Sequence, residues 1–143
     1  MTIEEVQQEI LEEFLVYEDW LDKYAYLIEL GNELEDLDPK TKNDQNLIKG
    51  CQSRVWLVAE QKGGKIYFQG ESDAVIVKGL VALLLRVVSG RTPKELLENK
   101  LHFIDDLGLK QHLSPTRSNG LLAMVKQISL YAVAFNRIAE KGE

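Results

Sequence analysis

One segment of this chain is apolar on nearly every side. Ile76, Val77, Leu80, Val81, Leu84, Val87 and Val88 recur at helical intervals between Asp73 and Gly90. A helix of that kind must be covered all round, so it is predicted to be the buried centre of the fold. Ser72 or Asp73 is placed to cap its start, where Asp73 also suits the positive helix end. Gly90 closes it. The run from Gly79 to Leu85 is far too short to span a bilayer and meets Arg86.

The flanking pattern says what covers this helix. Thr2 and Glu5 have capping-box spacing, and Ile3, Val6, Ile10 and Phe14 follow on one face. A second helix starts near Asp19, with Trp20, Tyr24, Leu27 and Ile28 on one side and Gly31 at its end. Residues 32–45 are polar and carry Pro39, Asn43 and Asp44, which reads as a loop. Three short strands come next: Asn46–Ile48, Val55–Glu60 and Lys65–Gln69, the last two joined by a Gly63–Gly64 hairpin turn. Thr92-Pro93-Lys94-Glu95 combines an N-cap, a proline at the first helical position and a capping-box glutamate, so a short helix restarts there. Residues 101–113 form a connector, and Ser114-Pro115 opens a last long helix with Leu121, Val125, Ile128, Ala132, Phe135 and Ile138 as its stripe. Together these elements predict an α+β fold, a small antiparallel sheet of about three strands packed against several helices.

A chain of 143 residues reads as a single domain, 1–143, able to bury roughly two-thirds of its unfolded surface without staples. Its net charge of -6 argues against a nucleic-acid backbone as main partner. The acidic N-terminus lacks the apolar run of a secretory signal and the arginines of a transit peptide. With one unpaired cysteine, the expected compartment is the cytoplasm.

That cysteine, Cys51, lies in Gly50-Cys51-Gln52-Ser53-Arg54-Val55-Trp56-Leu57, between two predicted strands. Alone, it can form no internal disulfide, no Cys-x-x-Cys redox pair, no iron–sulfur cluster and no structural zinc. A nucleophile, a carrier of one sulfur or acyl group, or a small buried hydrophobe remain. Lys49 and Arg54 bracket it, and nearby positive charge favours the thiolate. A hydrolytic nucleophile needs a base, and only His102 and His112 are available. His102 sits in a segment that reads as packed. His112, before Leu113-Ser114-Pro115, is better placed for a loop site. The spacings match no zinc pattern and no phosphate-binding glycine fingerprint. In Ser114-Pro115-Thr116-Arg117-Ser118-Asn119-Gly120, the Asn-Gly pair is poor helix material inside a first turn. When a segment gives up local propensity, a packing or functional demand is one explanation.

Three separated blocks, Gly50-Cys51-Gln52-Ser53-x-Val55-Trp56-Leu57, Gly70-Glu71-Ser72-Asp73-Ala74-x-Ile76-Val77-Lys78-Gly79-Leu80 and Gly108-Leu109-x-x-His112-Leu113-Ser114-Pro115-x-Arg117-Ser118-Asn119-Gly120-Leu121, resemble the SufE family of sulfur acceptors in order and spacing. The resemblance covers nearly the whole chain. It implies a fold similar to IscU-type scaffold proteins and a role in iron–sulfur cluster assembly. In that role a pyridoxal-phosphate cysteine desulfurase is the partner, a persulfide passes to Cys51, desulfurase turnover is stimulated, and an iron–sulfur scaffold complex is the downstream acceptor. No cofactor or metal of the chain's own is implied, since the pyridoxal phosphate belongs to the desulfurase. Around Cys51, the family blocks make Gly50, Gln52, Arg54, Asp73, His112, Arg117, Ser118 and Asn119 candidates for lining the site or docking the partner. Arg117 is a candidate to pair with Asp73 or to steady an anionic persulfide. Arg54 stands where an uncharged polar residue such as Gln is common, and Thr116 where Ser is common. Neither nucleic acid nor membrane is implied, and a homodimer stays open. Two other readings compete: a docking module that regulates a desulfurase without carrying sulfur, and a Cys51–His112 hydrolase.

Overall fold

A computed structural model describes residues 1–141. The predicted central helix is there as α3, Val75–Val88. Leu80, Leu83, Leu84, Val87 and Val88 along it are each 2% exposed or less. The amphipathic faces of α1 (Ile3–Leu15), α2 (Trp20–Asn32) and α7 (Pro115–Lys141) close around it, together with one face of the hairpin. Ile3, Val6, Ile10 and Phe14 of α1 are buried as their spacing requires. Thr2 and Glu5 exchange the two bonds of a capping box, and Thr92 and Glu95 do the same at the start of α4 (Pro93–Glu98). Between α4 and α7 the connector forms two single turns, α5 (Phe103–Asp106) and α6 (Leu109–His112).

The sheet is smaller than predicted. β1 (Val55–Lys62) pairs antiparallel with β2 (Lys65–Ser72), in register from Val55 opposite Ser72 to Lys62 opposite Lys65. Gly63 and Gly64, at φ 57 and 79°, make the turn; two successive positive φ angles are those of a type I′ hairpin. Asn46–Ile48 contributes one bridge, Leu47 to Trp56, instead of a third strand. The segment is caught between two turns. The Asn46 amide closes one onto Asn43, and Gly50, at φ 92°, opens the next.

Three local expectations are corrected. Gly31 does not end α2 but lies inside it, where α2 crosses α3. Neither Ser72 nor Asp73 occupies the N-cap of α3. Ala74 does, without a side-chain cap, because the Asp73 carboxylate is committed to the amide of Arg54. On α7, Leu121, Met124, Ile128 and Ala132 are buried, whereas Ile138 is exposed, since the helix there has outrun the core. Among the described residues no helix is long and apolar enough to cross a membrane.

Candidate functional site

Cys51 sits at the tip of a loop whose two ends are fixed. The amide of Ile48 donates to the carbonyl of Val55 at 2.8 Å, and the amide of Leu57 to that of Asn46 at 2.9 Å. These bonds hold residues 49–54 as one excursion from the sheet. Its C-terminal end is tied again to the end of β2. Asp73 Oδ1 accepts from the Arg54 amide at 3.0 Å. The Arg54 carbonyl accepts from Ser72 Oγ at 2.9 Å and from the Asp73 amide at 3.3 Å. The tip itself lies on α7. Gly50 turns the chain there with a left-handed φ that a side chain disfavours.

The thiol is half-buried and packs against the edge of the core. Its S–H donates a weak bond, at 3.6 Å, to the carbonyl oxygen of Gly120. Beside it opens a cavity of about 310 Å³ lined by residues of the loop, of α3 and of the start of α7. Gln52, Ser53, Ser114, Thr116 and Arg117 give it a polar rim, and Val77 and Met124 an apolar floor. Such a space has room for a small polar or anionic group. Arg117 is the charged side chain that faces it.

The expectation that flanking cations favour the thiolate is not met. Burial pushes the Cys51 thiol up from its ordinary value. The reason is geometric: Lys49 and Arg54 are exposed, so water screens them, while the sulfur itself is turned inward. Burial therefore favours the protonated thiol over the thiolate.

The remaining candidates divide between the cavity and its surroundings. Gln52 and Arg117 line it. Gly50 shapes the loop, and Arg54 and Asp73 fasten its end through backbone and carboxylate. Among the described residues no ion pair joins Arg117 to Asp73. Ser118 and Asn119 lie on the first turns of α7, outside the lining. His112 is directed elsewhere. Its ring stacks on Trp20 with centroids 3.9 Å apart, and its Nδ1 meets the Gly108 carbonyl at 2.9 Å. It does not line the cavity at Cys51, so a Cys–His catalytic pair is not assembled here. His102 binds Glu4 and Asp106 at the start of α1, away from the cavity. Val77, Met124 and Gly120 belong to the site although the sequence pattern did not single them out for it. For Gly120 a signal was present, as the glycine that weakens the first turns of α7.

The family model for the SufE Fe–S metabolism associated domain matches residues 8–132. In fold, the chain is similar to a hypothetical protein from Thermus thermophilus whose structure was solved in solution. The TM-score is 0.75 at 22% identity, over 92% of this chain and 96% of that one.

Proposed function

Because this chain belongs to the SufE family, which is associated with Fe–S metabolism, we propose that it carries sulfur on Cys51 between a cysteine desulfurase and an iron–sulfur scaffold in the cytoplasm. One observation carries the reading: the only thiol of the chain stands on a loop tip, half-covered, at the mouth of a small cavity with a polar rim and one arginine. In the transfer, the Cys51 thiolate attacks the outer sulfur of the desulfurase persulfide. That sulfur–sulfur bond breaks, the desulfurase cysteine leaves as a thiolate, and a persulfide forms on Cys51 with no net oxidation or reduction. With no second thiol in the chain, nothing internal can attack the carried persulfide and release its sulfur. The cavity supplies shelter, and Arg117 a countercharge for the persulfide anion.

The test is the intact mass after incubation with a desulfurase and free cysteine. The native chain should gain one sulfur atom and Cys51→Ser none, while both remain folded, because the replacement is nearly isosteric. Desulfurase turnover should rise with the native chain and stay basal with the variant. An equal mass gain on the serine variant overturns the assignment. Stimulation that survives in Cys51→Ser points instead to a docking module that carries nothing.

A further inference from the structure

We propose that Gly120 is a positioning residue for sulfur transfer: its missing side chain seats Cys51 against the backbone of α7, where the thiol is half-covered and slow to react. This rests on the reading of Cys51 as the acceptor, although the seat is a property of the chain by itself.

Gly120 is buried within the first turns of a long helix. Glycine in a helix interior costs about 1 kcal/mol relative to alanine. Where a buried helical glycine is retained, something must lie against it. At Gly31 and Gly79 that something is another helix. At Gly120 it is Cys51 alone. A Cβ built there has Sγ at 3.4 Å, Cβ at 3.8 Å and Cα at 4.0 Å of Cys51 as its three nearest neighbours. The second foot of the seat is one turn further along. There the Cβ position of Gly50 lies 3.7 Å from the Ala123 methyl. The Gly50–Cys51 tip therefore lies flat on the 120/123 face of α7. With no side chain between them, the thiol reaches the Gly120 carbonyl.

The charges around the sulfur would not silence it. Lys49 and Arg54 on its own loop and Arg117 from α7 are all cations. The nearby carboxylate of Asp73 is held by the Arg54 amide. What keeps the thiol protonated is the burial that this seat imposes. A methyl at position 120 would sit 3.4 Å from the sulfur, at the near edge of ordinary van der Waals contact. Branched carbons take the place where Cys51 rests.

The experiment is iodoacetamide alkylation of the full chain, without partner, as a function of pH, on the native protein, Gly120→Ala and Gly120→Val. Thermal midpoints are recorded in parallel. Alkylation of Gly120→Val is expected to be at least severalfold faster at pH 7, with its pH midpoint moved down; each unit of movement is worth about tenfold in thiolate. Gly120→Ala should shift in the same direction by less, while its thermal midpoint rises, because alanine favours the helix. It therefore carries the test if the valine variant does not fold. Native rate and native midpoint in both variants overturn the proposal. So does faster alkylation with an unmoved pH midpoint, which is what general loosening produces. The two readings fail separately: sulfur gain on Cys51→Ser removes the carrier and leaves the alkylation result standing, whereas native-like alkylation removes the seat and leaves the carrier.

Discussion

Gly31 and Gly79 meet backbone to backbone where α2 crosses α3. A Cβ on Gly31 would lie 2.8 Å from the amide nitrogen of Gly79, and one on Gly79 would lie 2.2 Å from the carbonyl oxygen of Leu27. Neither contact ends on a flexible side chain, so the helices would have to move apart. Gly79→Ala should therefore destabilise the fold by about 3 kcal/mol, roughly 10 °C in thermal midpoint for a chain of this size. The same change at Gly64, which has nothing near its Cβ position, strains only a turn. A thermal midpoint for Gly79→Ala within a degree or two of native would show that the crossing is not tight.

Asp73 makes a second, more local prediction. Its carboxylate accepts from the Arg54 amide, and Ser72 holds the carbonyl of the same residue. Asp73→Ala leaves the Arg54 amide to water at the exposed end of the Cys51 loop. The expected loss of stability is small, about 0.5–1.5 kcal/mol. The direct readout is hydrogen exchange: the Arg54 amide should exchange faster in the variant, while Ile48 and Leu57, bonded within the sheet and its bridge, keep native rates. Unchanged exchange at Arg54 would refute this role.

What the sequence made legible depended on how far apart the partners are. The Thr2–Glu5 and Thr92–Glu95 capping boxes and the Gly63–Gly64 turn complete themselves within four residues. All three are readable from spacing alone. The stripe of α1 and the apolar surround of α3 are likewise periodic signals, and they fix the core. The misread positions answer to partners that spacing does not reveal. Gly31 reads as a helix end because its partner, Gly79, belongs to another helix. Asp73 reads as a cap because the Arg54 amide, 19 residues earlier, is not visible to local pattern. Gly120 shows only as a weakness in α7 until Cys51, 69 residues away, is laid on it. The flanking cations misled about the thiolate for the same reason, since burial is a property of the packed loop.

Arg117 offers a test of the cavity's electrostatics. Its side chain faces the space beside Cys51, and the residue is exposed, so Arg117→Ala should leave the thermal midpoint nearly unchanged. Removing a partly solvated countercharge is worth about 1 kcal/mol, or roughly fivefold in the rate at which Cys51 acquires sulfur from a desulfurase. Arg117→Lys should restore much of that rate by keeping the charge. Native rates for Arg117→Ala would assign the persulfide's stabilisation to other groups.

His102 links the start of α1 to α5 through charge that depends on pH. Its Nε2 lies 2.7 Å from Glu4 Oε2, and its Nδ1 lies 2.5 Å from Asp106 Oδ2. Both ring nitrogens face carboxylates, which suits the doubly protonated imidazolium. Bonding to Glu4, then to Asp106, raises the His102 pKa above its ordinary value. Because the folded value is the higher one, the stabilisation is fully present below the unfolded pKa of about 6.5 and is lost as pH rises through the folded value. The pairs are partly solvated, so the contribution should stay below about 1 kcal/mol. Buried Gln7 still ties α1 to this region, receiving the Phe103 amide at 3.0 Å and donating to the Lys100 carbonyl at 3.1 Å. The segment therefore stays docked when His102 is neutral. In urea titrations, His102→Gln should be less stable than the native chain at pH 5.5. The gap should narrow steadily on the alkaline side and close once the imidazole is neutral in both states. A stability difference that does not vary between pH 5.5 and 8.5 would mean that His102 acts by packing and not by charge.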